Sequence, residues 1–552
     1  MSLSPSLISR CLAASLVVLS PGVCAVAATQ EAYVKASNTQ YLAEFGWAVA
    51  IDGDTAVVGA KFHDGIQFDA ATSDQGAAYV FVRQNGVWSQ QAMLKASDAH
   101  PNGQFGIAVA IDGDRLVVGA RGQAYFFKRT GTTWEQEDLA YGTNQAGILD
   151  SSFGLAVDID GETAIVGDSN DASDNPEDEY DESATNAGAA SIFVRSEDGA
   201  WQRQAYLKAA FPDGRETNPN SQGDNFGVSV SLSADTAVIG ASGECSGDAA
   251  NQQDNSVAAS GAVYVYSRQA GVWSQSAYLK APQKSASDAF GQSVAINGER
   301  IVVGAPGEDS AAKGVDGNAA DDSAAQSGAA YLFTRSEGNW TATHYLKASN
   351  TEAGDGFGHA VAIDGDLAVV TAWYEGSSAS GINGPQDNNG MMHSGAAYVF
   401  GKGSGAWAQT AYVKHSNPRA YVEFGANSVG LSGSSLIAGS HKEWSNATGI
   451  NGNQANQSYS YAGAAYIFSG FSVPEDPVII TGTSFAGGWF TIDFTSIPGL
   501  GGWKVMGGST LAAFPEDRTA ESIITETSPG IYQAVVNLGA SAPAHYFLRI
   551  ER

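Results

Sequence analysis

The sequence predicts an all-β protein: a seven-bladed β-propeller closed by an N-terminal strand, followed by a small C-terminal β-sandwich-like domain. Three observations carry that prediction. A Phe-Gly pair occurs seven times, at Phe45-Gly46, Phe105-Gly106, Phe153-Gly154, Phe226-Gly227, Phe290-Gly291, Phe357-Gly358 and Phe424-Gly425, spaced between 48 residues (Phe105 to Phe153) and 73 (Phe153 to Phe226). Each pair precedes a second apolar run ending in Gly-Ala or a near relative, as in Ile301-Val302-Val303-Gly304-Ala305. The runs are short, β-branched and bounded by turn residues, and one such unit recurring at this period means a ring of small sheets.

Taken in order, residues 1–28 read as a leader. Arg10 supplies a positive charge, the following residues through Leu19 are apolar, and Ala25-Val26-Ala27 is a small-residue cleavage site. That apolar run is too short to span a bilayer, so the expectation is a secreted or cell-surface protein without membrane insertion. Cys11 and Cys24 leave with the leader, and Cys245 alone cannot form an internal disulfide.

Residues 29–471 form the predicted propeller. The first repeat shows four strand signals, Phe45 to Ile51, Thr55 to Ala60, Ala77 to Arg83 and Gln91 to Ala96, with Asp52-Gly53-Asp54 as a tight turn. A third-strand signature recurs seven times, from Tyr79-Val80-Phe81 to Tyr466-Ile467-Phe468. A fourth strand follows a Trp and carries a Lys: Trp88 with Lys95, Trp201 with Lys208, Trp273 with Lys280, Trp340 with Lys347, Trp407 with Lys414, and a degenerate Trp134 with Leu139-Ala140. The seventh repeat lacks this strand, while a spare copy, Glu31 to Ser37, precedes the first Phe-Gly. The spare copy is therefore expected to pair with the last blade, Tyr33 and Val34 beside Tyr466 and Ile467, leaving no open edge. Residues 472–552 are a separate module of about six short strands between Gly and Pro turns.

These residues resemble the FG-GAP repeats of the integrin α-subunit head and of exported bacterial proteins, over about Glu31 to Phe468. The resemblance implies a propeller used for recognition or adhesion, often with calcium in the turn between the first two strands. The chain departs from that metal pattern. Asp52-Gly53-Asp54, Asp112-Gly113-Asp114, Asp160-Gly161-Glu162, Asn297-Gly298-Glu299 and Asp364-Gly365-Asp366 offer too few oxygens for a cation that takes six or more, and read as hairpin turns.

In up-and-down blades the long connections, those between strands two and three and between blades, share one side of the disc, which marks that side as the working surface. These loops repeat too. Glu308-x-Ser310, Glu375-x-Ser377 and Glu443-x-Ser445 each precede a tetrad, Gly314-Val315-Asp316-Gly317, Gly381-Ile382-Asn383-Gly384 and Gly449-Ile450-Asn451-Gly452, and then Asp321-Asp322, Asn388-Asn389 or Asn456-Gln457. One reading is a self-packed Ω-type loop. The other is a calcium site built from Glu308, Asp316, Asp321, Asp322, Glu375, Asn383, Asn388, Glu443, Asn451 and Asn456, whose oxygens suit that ion. Trp373, Tyr374 and Trp444 are candidate ligand-binding aromatics, although loop aromatics also serve to cover strand ends.

The formal charge of −30, from 28 Lys and Arg against 58 Asp and Glu, argues against nucleic-acid partners. The eight His are scattered, and neither a Gly-x-Ser-x-Gly elbow nor a phosphate loop occurs. The expected function is non-enzymatic recognition of an extracellular or cell-surface protein or glycan. The alternatives are an exported hydrolase assembled across blades, or a structural envelope component; the oligomeric state stays open.

Overall fold

A computed structural model describes residues 28–473 apart from 65–72, 143–151, 176–177, 215–222 and 404–405, together with the backbone of strands between Ile479 and Glu551. The expected leader and part of the acidic run near Glu177 lie outside the described residues. Residues 27–474 form one compact unit, while 475–552 cluster separately.

Within the first unit the described strands make seven antiparallel four-stranded sheets. Blade I comprises Phe45–Asp52, Thr55–Ala60, Ala77–Gln84 and Val87–Leu94, and blades II to VI repeat this order. Blade VII comprises Val429–Ser432, Ser435–Ser440 and Ala464–Ser469, completed by Thr29–Val34. The closing strand pairs antiparallel with Ala464–Ser469, Tyr33 opposite Tyr466 and Val34 opposite Ala465, with the two tyrosine rings 5.3 Å apart. First strands contact first strands all round, including Val429–Ser432 against Phe45–Asp52, so the ring is closed. The second strand Thr55–Ala60 is buried at every residue, and those of blades II and V at all but their first, an Arg, because both faces pack on neighbouring blades.

Two differences from the sequence expectation have local causes. The fourth strand of blade I starts at Val87, so Trp88 belongs to the strand rather than to the turn before it. In blades II, III, V and VII the first strand starts after the Phe-Gly, at Ala108, Ala156, Ser293 and Val429. The positive-φ glycine interrupts the ladder in every blade, Gly46 at 87° and Gly106 at 89° alike; in blades I, IV and VI the Phe before it still pairs with the second strand, as Phe45 does with Ala60 across a bulge, and so it counts as the strand's first residue.

That kink explains the repeat motif. A Cβ on Gly59, in the Gly-Ala of blade I, would lie 1.9 Å from the Gly106 carbonyl oxygen of blade II; Gly304 stands likewise to Gly358, and Gly439 to Gly46. Phe-Gly of one blade and Gly-Ala of the previous one are the two halves of a backbone contact that admits no side chain. Blade VI has Thr371 instead, and its hydroxyl takes the N–H of Ala360 at 3.1 Å.

The opposite side carries a second ring. The residue ending each first strand accepts a backbone N–H from the next blade's turn: Asp52 from Gly113, Asp112 from Gly161, Asp160 from Ala234, Ser233 from Gly298, Asn297 from Gly365, Asp364 from Gly433 and Ser432 from Gly53, at 2.6–3.3 Å. The second turn acid is also engaged: Asp54 and Asp235 each bind an Arg of their own blade at 2.6 Å, and those guanidinium groups lie over Trp88 and Trp273.

The C-terminal unit has two antiparallel sheets. One runs Ile479–Ala486, Trp489–Thr495, Ile531–Asn537, Ser522–Ser528, and the other is Glu516–Asp517, Lys504–Gly508, Phe547–Glu551. No helix among the described residues is long and apolar enough to cross a membrane.

Candidate functional site

The face that bears the long connections is held by one repeated device. The fourth-strand lysine turns inward and ties down the loop above it: Lys35 to Glu443 (2.9 Å), Lys208 to Asp171 (2.9 Å), Lys280 to Glu244 (2.6 Å), Lys347 to Glu308 (2.8 Å) and Lys414 to Glu375 (2.7 Å). These lysine side chains are 0–1 % exposed. Burial pushes each ammonium pKa down and the carboxylate beside it pushes it back up. Blade II lacks both partners: Ala140 stands at the lysine position, and its connection between strands two and three is only Arg121-Gly122.

The tetrads form a second fastening. Asp316, Asn383 and Asn451 accept the backbone N–H of Tyr345 (3.0 Å), Tyr412 (2.9 Å) and Tyr33 (2.9 Å) on the fourth strand. Val315, Ile382 and Ile450 form single bridges to Leu346, Val413 and Val34. The long loops thus cover the outer edge of their own blades, and the lost loop entropy is offset by buried ion pairs and backbone hydrogen bonds.

The residues proposed for calcium have separate attachments. Glu308, Glu375 and Glu443 face lysines; Asp316, Asn383 and Asn451 face strand amides. Asp321 and Asn388 accept the N–H of Ala311 and Ser378 within their own loops, both at 2.8 Å; Asn456 accepts that of Ser458 at 3.1 Å; Asp322 is exposed. Among the described residues no three His, Cys, Asp or Glu side chains converge as a metal-holding group.

The aromatic candidates separate too. His359, Trp373, Tyr374 and His393 form one continuous pile with centroid spacings of 4.2, 3.8 and 4.0 Å, so both faces of Trp373 and Tyr374 are covered and only their edges are available. Trp444 meets Tyr461 edge-on at 6.3 Å in blade VII. Single apolar residues, which sequence reasoning passed over, are more open. Met392 is 55 % exposed, Tyr421 50 %, Phe211 45 %, Leu42 43 % and Tyr41 41 %, all on the long-loop face. Met392 and Tyr421 touch, with the Tyr421 N–H bonded to the Met392 carbonyl at 2.8 Å. The available signal was that the loops otherwise carry Ser, Asn, Asp and Ala, against which such residues stand out.

A family model described as FG-GAP repeat matches residues 28–81, 88–131, 218–266, 273–333 and 340–400. No curated protein matches the chain. Among solved structures, Kuenenia stuttgartiensis hydrazine synthase is similar at a TM-score of 0.39 and 11% identity, over 73% of this chain and 93% of that one.

Proposed function

Because this chain is an FG-GAP repeat β-propeller protein, we propose that it is an exported, non-enzymatic recognition protein that binds an extracellular or cell-surface protein through its long-loop face. The observation that supports this is the combination of stiff loops with open apolar residues on that face. Fastening by buried Lys–Glu pairs lowers the ordering entropy that binding would otherwise cost. Tyr41, Leu42, Phe211, Met392 and Tyr421 supply the aromatic and apolar anchors on which protein interfaces depend. A protein partner is favoured over a glycan because the largest aromatic pile offers edges, whereas sugars stack on ring faces.

The test uses a panel of extracellular proteins and a glycan array, probed with wild type and with a Tyr41→Asp, Leu42→Asp, Met392→Asp, Tyr421→Asp variant. A protein ligand lost by the variant, with unfolding unchanged, supports the reading. Ligands bound equally by both, or only glycans bound, would reject it.

A further inference from the structure

Blade VI contains an internal bridge that blades IV and V lack. Asn350 enters from the preceding connection; its Oδ1 accepts the Tyr398 hydroxyl at 2.7 Å and its Nδ2 donates to Glu375 Oε1 at 3.0 Å. One buried amide thus fills the gap between the third-strand tyrosine and the loop carboxylate. Asn350 follows Lys347-Ala348-Ser349; the same place before blade V is Gln283, after Lys280-Ala281-Pro282, and before blade IV it is Phe211, after Lys208-Ala209-Ala210. Both of those side chains point to solvent. The tyrosine hydroxyls they leave behind, on Tyr331 (2 % exposed) and Tyr264 (0 %), have no partner among the described residues.

Near each of these tyrosines, close enough for its charge to raise the tyrosine pKa, is an aspartate with an unmatched carboxylate oxygen. Asp288 and Asp224, both 2 % exposed, use Oδ2 to accept a backbone N–H, from Ser285 at 2.7 Å and Asp213 at 2.9 Å, while Oδ1 has no partner. Their own carbonyls accept the N–H of Gly307 (3.1 Å) and Gly243 (3.0 Å), which places them beside Glu308 and Glu244. Those glutamates are committed to Lys347 and Lys280, and Lys208 is committed to Asp171. Among the described residues neither Asp288 nor Asp224 forms an ion pair, although the Lys208 charge acts on Asp224. Burial, and for Asp288 the Glu308 carboxylate, push both aspartate pKa values up, to about 7 for Asp288.

A water molecule alone could bond the hydroxyl and the carboxylate but would leave the charge unbalanced. A divalent ion would overcompensate it, and calcium takes six or more oxygens. We propose that the junction pockets of blades IV and V each bind one monovalent alkali cation with residual water, held by Asp224 Oδ1 and Tyr264 Oη in one and by Asp288 Oδ1 and Tyr331 Oη in the other. This inference is independent of the recognition reading. It makes the two pockets internal staples between successive blades, and blade VI, where Asn350 already occupies the place, an internal control.

The experiment compares thermal midpoints of the full chain at about pH 8 in sodium, potassium, calcium and choline chlorides of matched ionic strength. The expected result is a midpoint about 3 °C higher in sodium or potassium than in choline for two sites near tenfold saturation. The Asp224→Asn/Asp288→Asn variant should lose this difference; Asp355→Asn should keep it, since Asp355 is the counterpart before blade VI, accepting the N–H of Glu352 at 2.9 Å with Oδ2, where Asn350 already fills the place. Both variants relieve a buried charge, so folding is expected in choline. Equal midpoints in the alkali and choline salts would show water-filled pockets and overturn the proposal. So would a response to calcium alone, or one that survives the double substitution.

Discussion

Replacing Lys347 by Met tests whether the buried lysine is what holds a long loop. The Lys347 ammonium is fully buried and spends its three N–H groups on Glu308 Oε2 (2.8 Å), Ser327 Oγ (2.8 Å) and the Gly328 carbonyl (2.6 Å). Methionine fills similar volume but leaves Glu308, 4 % exposed, ionised without a counter-charge. Breaking one side of a buried pair costs about 3–5 kcal/mol, far more than the net worth of keeping both, because the surviving charge stays desolvated. Adding Glu308→Gln should recover part of the loss, since a neutral amide can still accept the Tyr345 hydroxyl that now lies 2.6 Å from Glu308 Oε1; the expected coupling is about 2 kcal/mol. The assay is urea unfolding of the four proteins of the cycle, with amide exchange at Gly314 to Ser327 reporting the loop itself. A loss under about 1 kcal/mol, or a double variant equal to the sum of the singles, would refute the reasoning. Blade II supports it, having neither the lysine nor a long loop.

Three further outcomes follow from the same geometry. Gly304→Ala puts a Cβ 1.9 Å from the Gly358 oxygen and should destabilise by about 3 kcal/mol, whereas Gly365→Ala, at φ of 57° with no atom within 4 Å, should cost only about 1 kcal/mol; chemical denaturation separates the two. Asp288 has its pKa raised from 3.8 to about 7, so its charged form opposes folding: stability should fall as pH rises from about 4 through about 7 and stay flat above. Asp288→Asn in choline chloride should remove this share of the slope, leaving that of Asp224 and Asp355, and add up to about 4 kcal/mol at alkaline pH; a wild-type slope in the variant would contradict this. Deleting Thr29–Ala36 bares the edge of Ala464–Ser469 and removes Lys35 from Glu443; gel filtration should show association or aggregation, and a stable monomer would show that the ring does not need its closing strand.

How much could be read without coordinates varies with the range of the interaction. The closing strand was legible by counting, because a repeat with six internal copies of a strand and one stray copy has one economical solution, and Tyr33 does pair with Tyr466. The loop repeat was legible as a repeat, but its purpose was not. Glu308 and Lys347 recur at fixed places in blades IV to VII, and only meetings such as theirs at 2.8 Å show that the two series are one device. The ring of turn hydrogen bonds was similarly half visible. Each first strand ends in Asp, Asn or Ser, as a hairpin turn would require, and nothing local tells that Asp52 reaches the Gly113 of the next blade at 2.8 Å.

The amino-acid order alone determined the all-β class, the sevenfold count and the origin of the last strand, since these follow from periodicity and from the need to leave no sheet edge open. Tertiary structure decided which polar groups find partners. Asn350 is satisfied in blade VI, whereas Tyr331 and Asp288 are left facing a gap in blade V, because that outcome depends on atoms brought together from different blades across a low-dielectric interior.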